Sequence, residues 1–182
     1  MDSLTKLARL QRLVAEADGK VDGRKKLHKL VYLCQRAGTD LDQSFVFYMY
    51  GVYSPSLAMD LKTAIEWGLL KEQQDGDTYD ILLGDACIDA KEMDDRDRRP
   101  DFTVARVLGG ETASTLEALS TIVYLYDNRY RGADLLNKLT SLKGHLRSVF
   151  PKAFDLAERQ FHLEPAELGW QRIGAPLLTN AC

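Results

Sequence analysis

Apolar residues recur every three or four positions through most of the chain, and that period predicts helices. Leu4, Leu7, Leu10, Leu13 and Val14 form the first stripe, on a helix that starts at Ser3, a candidate N-cap, and ends at Ala17-Asp18-Gly19. After Gly23, the residues Leu27, Leu30, Val31 and Cys34 form a second stripe at i, i+3, i+4 and i+7, and Gly38 stops that helix. The first helix is expected to pack on Leu27, Leu30 and Val31. On the other side of the second helix, Lys25, Lys29, Tyr32 and Arg36 follow at i, i+4, i+7 and i+11, a basic face with one aromatic.

The period then changes. Residues 45–50, FVFYMY, are mostly β-branched and aromatic and read as one strand that Gly51 ends. Ser54-Pro55 is a helix start, a side-chain cap followed by a residue that has no N–H to leave unpaired. Leu57, Leu61, Ala64 and Ile65 carry that helix to Trp67-Gly68. Leu69-Leu70 and residues 79–83 flank Asp75-Gly76, which predicts a β-hairpin. Residues 84–102 are dense in both charges and read as an exposed connector with partial helix over 85–93. Helical period resumes from Thr112 or Ser114, with Leu116, Leu119, Ile122, Val123 and Tyr126, and continues in Leu135, Leu136, Leu139 and Leu142. Pro151 opens a last helix to Phe161. Beyond it only a turn over 165–168 is expected, with Trp170 and Leu177-Leu178 as anchors or contacts.

These elements predict a mainly α (α+β) fold. A winged-helix-like half with a short hairpin wing occupies 1–84, a charged connector 85–102, a helical half 103–162 and an irregular tail 163–182. The composition is that of an ordinary globular chain, 45% hydrophobic and 28% charged over 182 residues. No apolar run approaches membrane-spanning length and the N-terminus lacks the pattern of a signal peptide, so a cytoplasmic location without membrane attachment is expected.

Charge changes the picture more. The net charge is only −3, but residues 20–38 hold six cations and one acid, a local +5, while residues 54–83 are net −4. Helix, helix, helix and hairpin is the order of a winged helix-turn-helix, yet an acidic wing repels a duplex. The basic helix is either a solvated face or a docking surface for an acidic protein or a phosphate backbone.

Catalytic patterns are not evident. There is no Gly-rich phosphate loop and no Gly-x-Ser-x-Gly elbow. His28, His145 and His162 have no partner at metal-ligand spacing, and the scattered Cys34, Cys87 and Cys182 suggest no disulfide framework. No catalytic residue, metal or cofactor is assigned.

Two segments carry a family resemblance. Lys26-Leu27-His28-Lys29-Leu30-Val31-Tyr32-Leu33 is followed by the aromatic strand and by Tyr50-Gly51-Val52-Tyr53-Ser54-Pro55-Ser56-Leu57. This pair, with the helical segments 116–126, 139–143 and 153–161, resembles the YwgA-like proteins and the related Panacea antitoxin domain. Val52 stands where such families often carry proline. The resemblance implies a non-enzymatic protein-binding module, an antitoxin or an accessory subunit of a bacterial defence or stress system, whose partner is a cognate toxin or complex subunit. The expected contact residues are Lys25, Lys29, Tyr32 and Arg36 on the helix and Tyr50 and Tyr53 at the corner, since tyrosine and arginine are favoured anchors. A structural role for Lys29 and Tyr32, with the ring packed between the two halves, is the competing expectation. The alternative function is a winged-helix DNA-binding transcriptional regulator that uses the basic helix 24–36, as a homodimer.

Overall fold

Asp2 opens the first helix. Its extended backbone lets the carboxylate turn back and accept the Thr5 N–H, so Asp2, not Ser3, caps α1 (Ser3–Glu16). After Ala17, Asp18 and Gly19 take positive φ and lead into a two-residue strand, β1 (Lys20–Val21). Helix α2 (Arg24–Arg36) comes after Gly23. The computed structural model describes residues 1–76, 78–88 and 100–170. The fold is mixed, 59% helical and 13% strand.

Leu27, Leu30, Val31 and Cys34 are buried, as their spacing predicts, and a leucine removed from water in this way contributes about 1.5–3 kcal/mol. Leu4 is exposed, because it sits in the first turn of α1 ahead of the buried stripe. The main neighbours of α1 are a later helix, α3 (Pro55–Glu66), and the sheet, rather than α2.

The aromatic segment departs from the single strand expected over 45–50. It folds back on itself as β2 (Val46–Tyr48) and β3 (Gly51–Tyr53), paired antiparallel with Tyr48 opposite Gly51. Met49 and Tyr50 form the turn without positive φ, and Gly51 at φ +85° supplies the left-handed residue that lets the two strands keep their twist. The start of α3 is as predicted: Ser54 Oγ accepts the Leu57 N–H and Pro55 occupies the first turn.

The second hairpin joins β4 (Leu70–Asp75) and β5 (Thr78–Leu83), with Gly76 at φ +58° beginning its turn. β1 adds to β5, giving the antiparallel order β1-β5-β4. The chain leaves the sheet over 84–88 without helix, so the partial helix expected over 85–93 is absent from 85–88; residues 89–93 lie outside the described residues. Phe102, assigned to the exposed connector, is buried in the core.

Next comes a short helix that the periodicity does not reveal, α4 (Thr103–Leu108). Then come α5 (Ala113–Asp127), capped by Thr112, and α6 (Gly132–Lys143). A 3-10 segment (Gly144–Val149) leads into α7 (Phe150–Phe161) and the single turn α8 (Pro165–Leu168). Helix α5 lies at the centre of this half. Its stripe of Leu116, Leu119, Ile122 and Val123 is buried, and it packs on α7, α6, α2 and β3. Leu142 is exposed; the inward position at the end of α6 goes to Lys143 instead. One apolar cluster runs from Leu7 to Leu168. Trp170 stacks on Phe154 with ring centroids 4.9 Å apart. Gly169, at φ +66°, lies so close to α6 that a Cβ there would collide with the Gly132 carbonyl. Leu177-Leu178 lie outside the described residues.

Candidate functional site

Three elements, with Glu72 of β4 at the edge, enclose a groove of about 930 Å³: the start of α2, the β2–β3 hairpin and the outer face of α3. Glycine breaks position two of them. Gly23 swings the chain into α2 so that Lys25, His28 and Lys29 face the hairpin, and Gly51 turns the hairpin over them. The polar segment before β2 fixes the third. Gln35 and Gln43 bond reciprocally, Gln35 Nε2 to the Gln43 carbonyl at 2.7 Å and the Gln43 N–H to Gln35 Oε1 at 2.9 Å. The Gln43 side chain then accepts from Ser56 and donates to Asp60, tying the start of α3 to α2.

Buried charge supports the groove: Lys29 lines it, and Lys143 and Glu117 lie behind the hairpin, outside the lining. Lys29 is 3% exposed and Lys143 is 2% exposed. Lys143 Nζ donates to Glu117 Oε1 at 2.5 Å and to the Met49 carbonyl at 3.1 Å, so it holds the hairpin turn from below. Lys29 Nζ donates to the Val52 carbonyl at 3.2 Å. Burial pushes the Lys29 ammonium down to about 8; Glu117 opposes that shift, while Lys143 and Lys25 add to it. His28 Nδ1 accepts the Ser54 N–H at 3.1 Å and its ring stacks on Tyr53 at 4.5 Å. Burial, with the Lys29 charge beside it, pushes this imidazole down to about 4, so it is neutral near pH 7 with its proton on Nε2.

The rim is aromatic and wet. Tyr48, Met49 and Tyr50 are 58%, 85% and 60% exposed, and Lys25 Nζ sits 4.3 Å from the Tyr50 ring centroid. Tyr53 and Ile65 line the walls.

The six residues expected to form one contact surface therefore divide. Lys25, Lys29, Tyr50 and Tyr53 come together in the groove. Tyr32 and Arg36 do not: Tyr32 packs edge-on against Phe45 at 5.2 Å, and Arg36 forms a two-pronged ion pair with Asp127 of α5 at 2.7 and 2.9 Å. Burial pushes the Tyr32 hydroxyl above its ordinary range. The helix thus carries no continuous solvated basic face, since Lys29 is buried and Arg36 is matched. Sequence reasoning misses Tyr48, Met49 and His28 as lining residues of the site, and Glu117 and Lys143 as its supports behind the hairpin. Tyr48 and Met49 lie in a segment that reads as strand interior, and Glu117 and Lys143 arrive from other helices.

Cys34 is buried and its thiol is pushed up to about 12 by burial, which makes it an inert core residue. Among the described residues no group of three His, Cys, Asp or Glu side chains is arranged to hold a metal, and no helix is long and apolar enough to cross a membrane.

No family model matches the chain. It is similar to the uncharacterized protein YwgA of Bacillus subtilis (strain 168), 27% identical over 124 residues that cover 64% of this chain and 72% of that protein. This is distant YwgA-like relatedness.

Proposed function

We propose that the chain is a non-enzymatic protein-binding module, of the kind supplied by an antitoxin or an accessory subunit of a bacterial defence or stress system. The observation that carries this reading is the exposed turn Tyr48-Met49-Tyr50 at the mouth of the groove. Large apolar side chains held out on a rigid hairpin cost hydration free energy and are typical of contact surfaces. Tyrosine and methionine suit that role, the first as a stiff amphipathic anchor and the second as an adaptable filler. The resemblance of residues 26–33 and 50–57 to the Panacea antitoxin domain points the same way. The partner is a protein, either a cognate toxin or a subunit of the complex served.

The second reading is a winged-helix DNA-binding regulator. The order α1, β1, α2, α3, β4, β5, with the β2–β3 hairpin inserted between α2 and α3, and the sheet order β1-β5-β4 favour it. The charges do not. The exposed face of α3 mixes Lys62 with Glu66, and the hairpin behind it holds Glu72, Asp75 and Asp80, whereas phosphate contacts need cations.

Capture from native lysate with the tagged chain separates the two. A stoichiometric protein that survives nuclease and is lost from the Tyr48→Ser, Tyr50→Ser double variant supports the module. Recovery of DNA, with binding that falls steeply as salt rises, overturns it in favour of the regulator.

A further inference from the structure

One buried cation, Lys29, lines the groove, and a second, Lys143, lies behind the hairpin with the carboxylate of Glu117. Lys29 and Lys143 approach the same point of the hairpin: a Cβ on Gly51 would stand 3.7 Å from Lys29 Cε and 4.0 Å from Lys143 Nζ. Glu117 forms its ion pair with Lys143. Among the described residues no carboxylate lies within ion-pair distance of Lys29, and its hydrogen bond goes to a neutral carbonyl. An ammonium has three donors and a full charge. The Val52 oxygen uses one donor and neutralises none of the charge. A buried ammonium with no carboxylate directly on it, and with Lys143 and Lys25 nearby, is costly, so its retention calls for a reason other than stability.

Geometry limits what such a cation serves. A lysine 3% exposed is out of reach of a duplex backbone, and it faces a groove whose far wall is Leu61 and Ile65 of α3. Arg24 pairs with Glu72, Lys62 with Glu66 and, behind the hairpin, Lys143 with Glu117, while Lys25 lies over the Tyr50 ring at the rim; among the described residues Lys29 is then the one buried lining cation with no carboxylate on it, which matches a single carboxylate. We propose that the groove takes a partner segment carrying an acidic side chain beside a large apolar one, the carboxylate seated on Lys29 and the apolar group against Tyr50, Leu61 and Ile65. This rests on the protein-binding reading and names the chemistry of the partner. Lys25, standing over the Tyr50 ring at the rim, steers the acid inward.

The groups facing Lys29 are Glu117 of α5, Lys143 of α6, Lys25 and His28 of its own helix and the hairpin tyrosines. A seated carboxylate favours the charged lysine, whereas the free groove releases that proton near pH 8. Carboxylate affinity therefore falls as pH rises, about tenfold between pH 7 and pH 9.

The test uses the full chain, selectively 13C-labelled at lysine Cε, with 3-phenylpropionate and its amide as probes. The two share the apolar group and differ in charge. The expected result is that the acid moves the Lys29 Cε resonance and binds at least tenfold more tightly than the amide at pH 7. The acid also loses affinity toward pH 9, and Lys29→Met removes both the preference and the pH dependence. Equal affinity for acid and amide, or an unchanged preference in Lys29→Met, overturns the proposal. The resonance shift and pH profile of the unsubstituted chain decide the matter even if the variant folds poorly. Failure of this inference is distinct from failure of the module. A partner protein kept equally by the unsubstituted chain and by Lys29→Met overturns the anion seat and leaves the module standing. A carboxylate-selective groove in a chain that retains no protein overturns the peptide occupant.

Discussion

The two hairpins of this molecule solve the same problem in opposite ways. The β4–β5 hairpin is long and mostly polar, and two of its acids are matched by cations from other elements. Glu72 takes both prongs of Arg24 at 2.5 Å, Asp80 pairs with Lys20 at 2.8 Å, and β1 covers one edge. The β2–β3 hairpin pairs only three residues on each side, turns Phe47 onto Tyr124 and buries Val52, holds Tyr48, Met49 and Tyr50 outward and rests on two buried lysines. Isolated short hairpins are marginal in water, so this one persists because the body of the protein holds it at named atoms: Met49 and Val52 carbonyls from the lysines, and the Ser54 N–H from His28. A structure that commits buried charge to so short a hairpin is holding it for something other than its own stability.

The contrast can be broken most forcefully at Glu117. Glu117→Gln leaves Lys143 buried without its anion, and the expected loss is about 3 kcal/mol by chemical denaturation. Hydrogen exchange should show the protection of β2–β3 falling while that of β4–β5 is unchanged. Adding Lys143→Met removes the unpaired charge and should restore most of the stability. Uniform loss of protection over both hairpins would dissolve the distinction.

The aromatic hairpin should also respond to pH through His28, which holds its Ser54 end. The folded His28 imidazole titrates near 4 and an unfolded one near 6.5, so between those values the unfolded chain binds more protons. Stability is complete above about pH 6.5 and falls as the pH drops toward 4. The contribution of this group from pH 7.5 to pH 5 is a loss of about 2 kcal/mol. Denaturant midpoints of the unsubstituted chain and of His28→Gln across that range measure it, and the variant should show the shallower slope.

The smallest effect belongs to the polar hairpin. Arg24→Ala breaks the ion pair with Glu72, but Arg24 is mostly exposed and exposed pairs are screened, so less than about 1 kcal/mol is expected. A larger loss in thermal or denaturant unfolding would show that the polar hairpin, too, depends on its charges.

Legibility in the sequence tracks the range over which each element is determined. Helices α2, α3, α5, α6 and α7 announce themselves through a local stripe, α3 and α5 through a capping side chain as well, and the Ser54-Pro55 start of α3 is readable to the residue. Strand β1 is not, because two residues carry no period and are strand only through pairing with Leu82 and Ile81, some sixty positions away. Six apolar and aromatic residues at 45–50 give no sign of a turn between them, since Met49 and Tyr50 are not turn formers and the left-handed residue that reverses the chain is the next one, Gly51. Helical spacing marks Lys25 and Lys29, and residue type Tyr50 and Tyr53, as contact candidates, and the four line one groove. Tyr32 and Arg36 share the helical spacing of the lysines but are taken up by Phe45 and Asp127. Helical spacing specifies a side of the helix, not the part of the chain laid against it. For the same reason Glu117 and Lys143 are invisible: they come to lie behind the hairpin only after α5 and α6 have docked.

Gly169 has a meaning for descent. Its Cβ position is filled by the backbone of Gly132, so no repacking of side chains can admit another residue there. A chain that diverges from this one either keeps glycine at 169 or lifts α8 off α6. One small residue thus holds the closing turn in its seat: any side chain at 169 would push α8 away from Gly132.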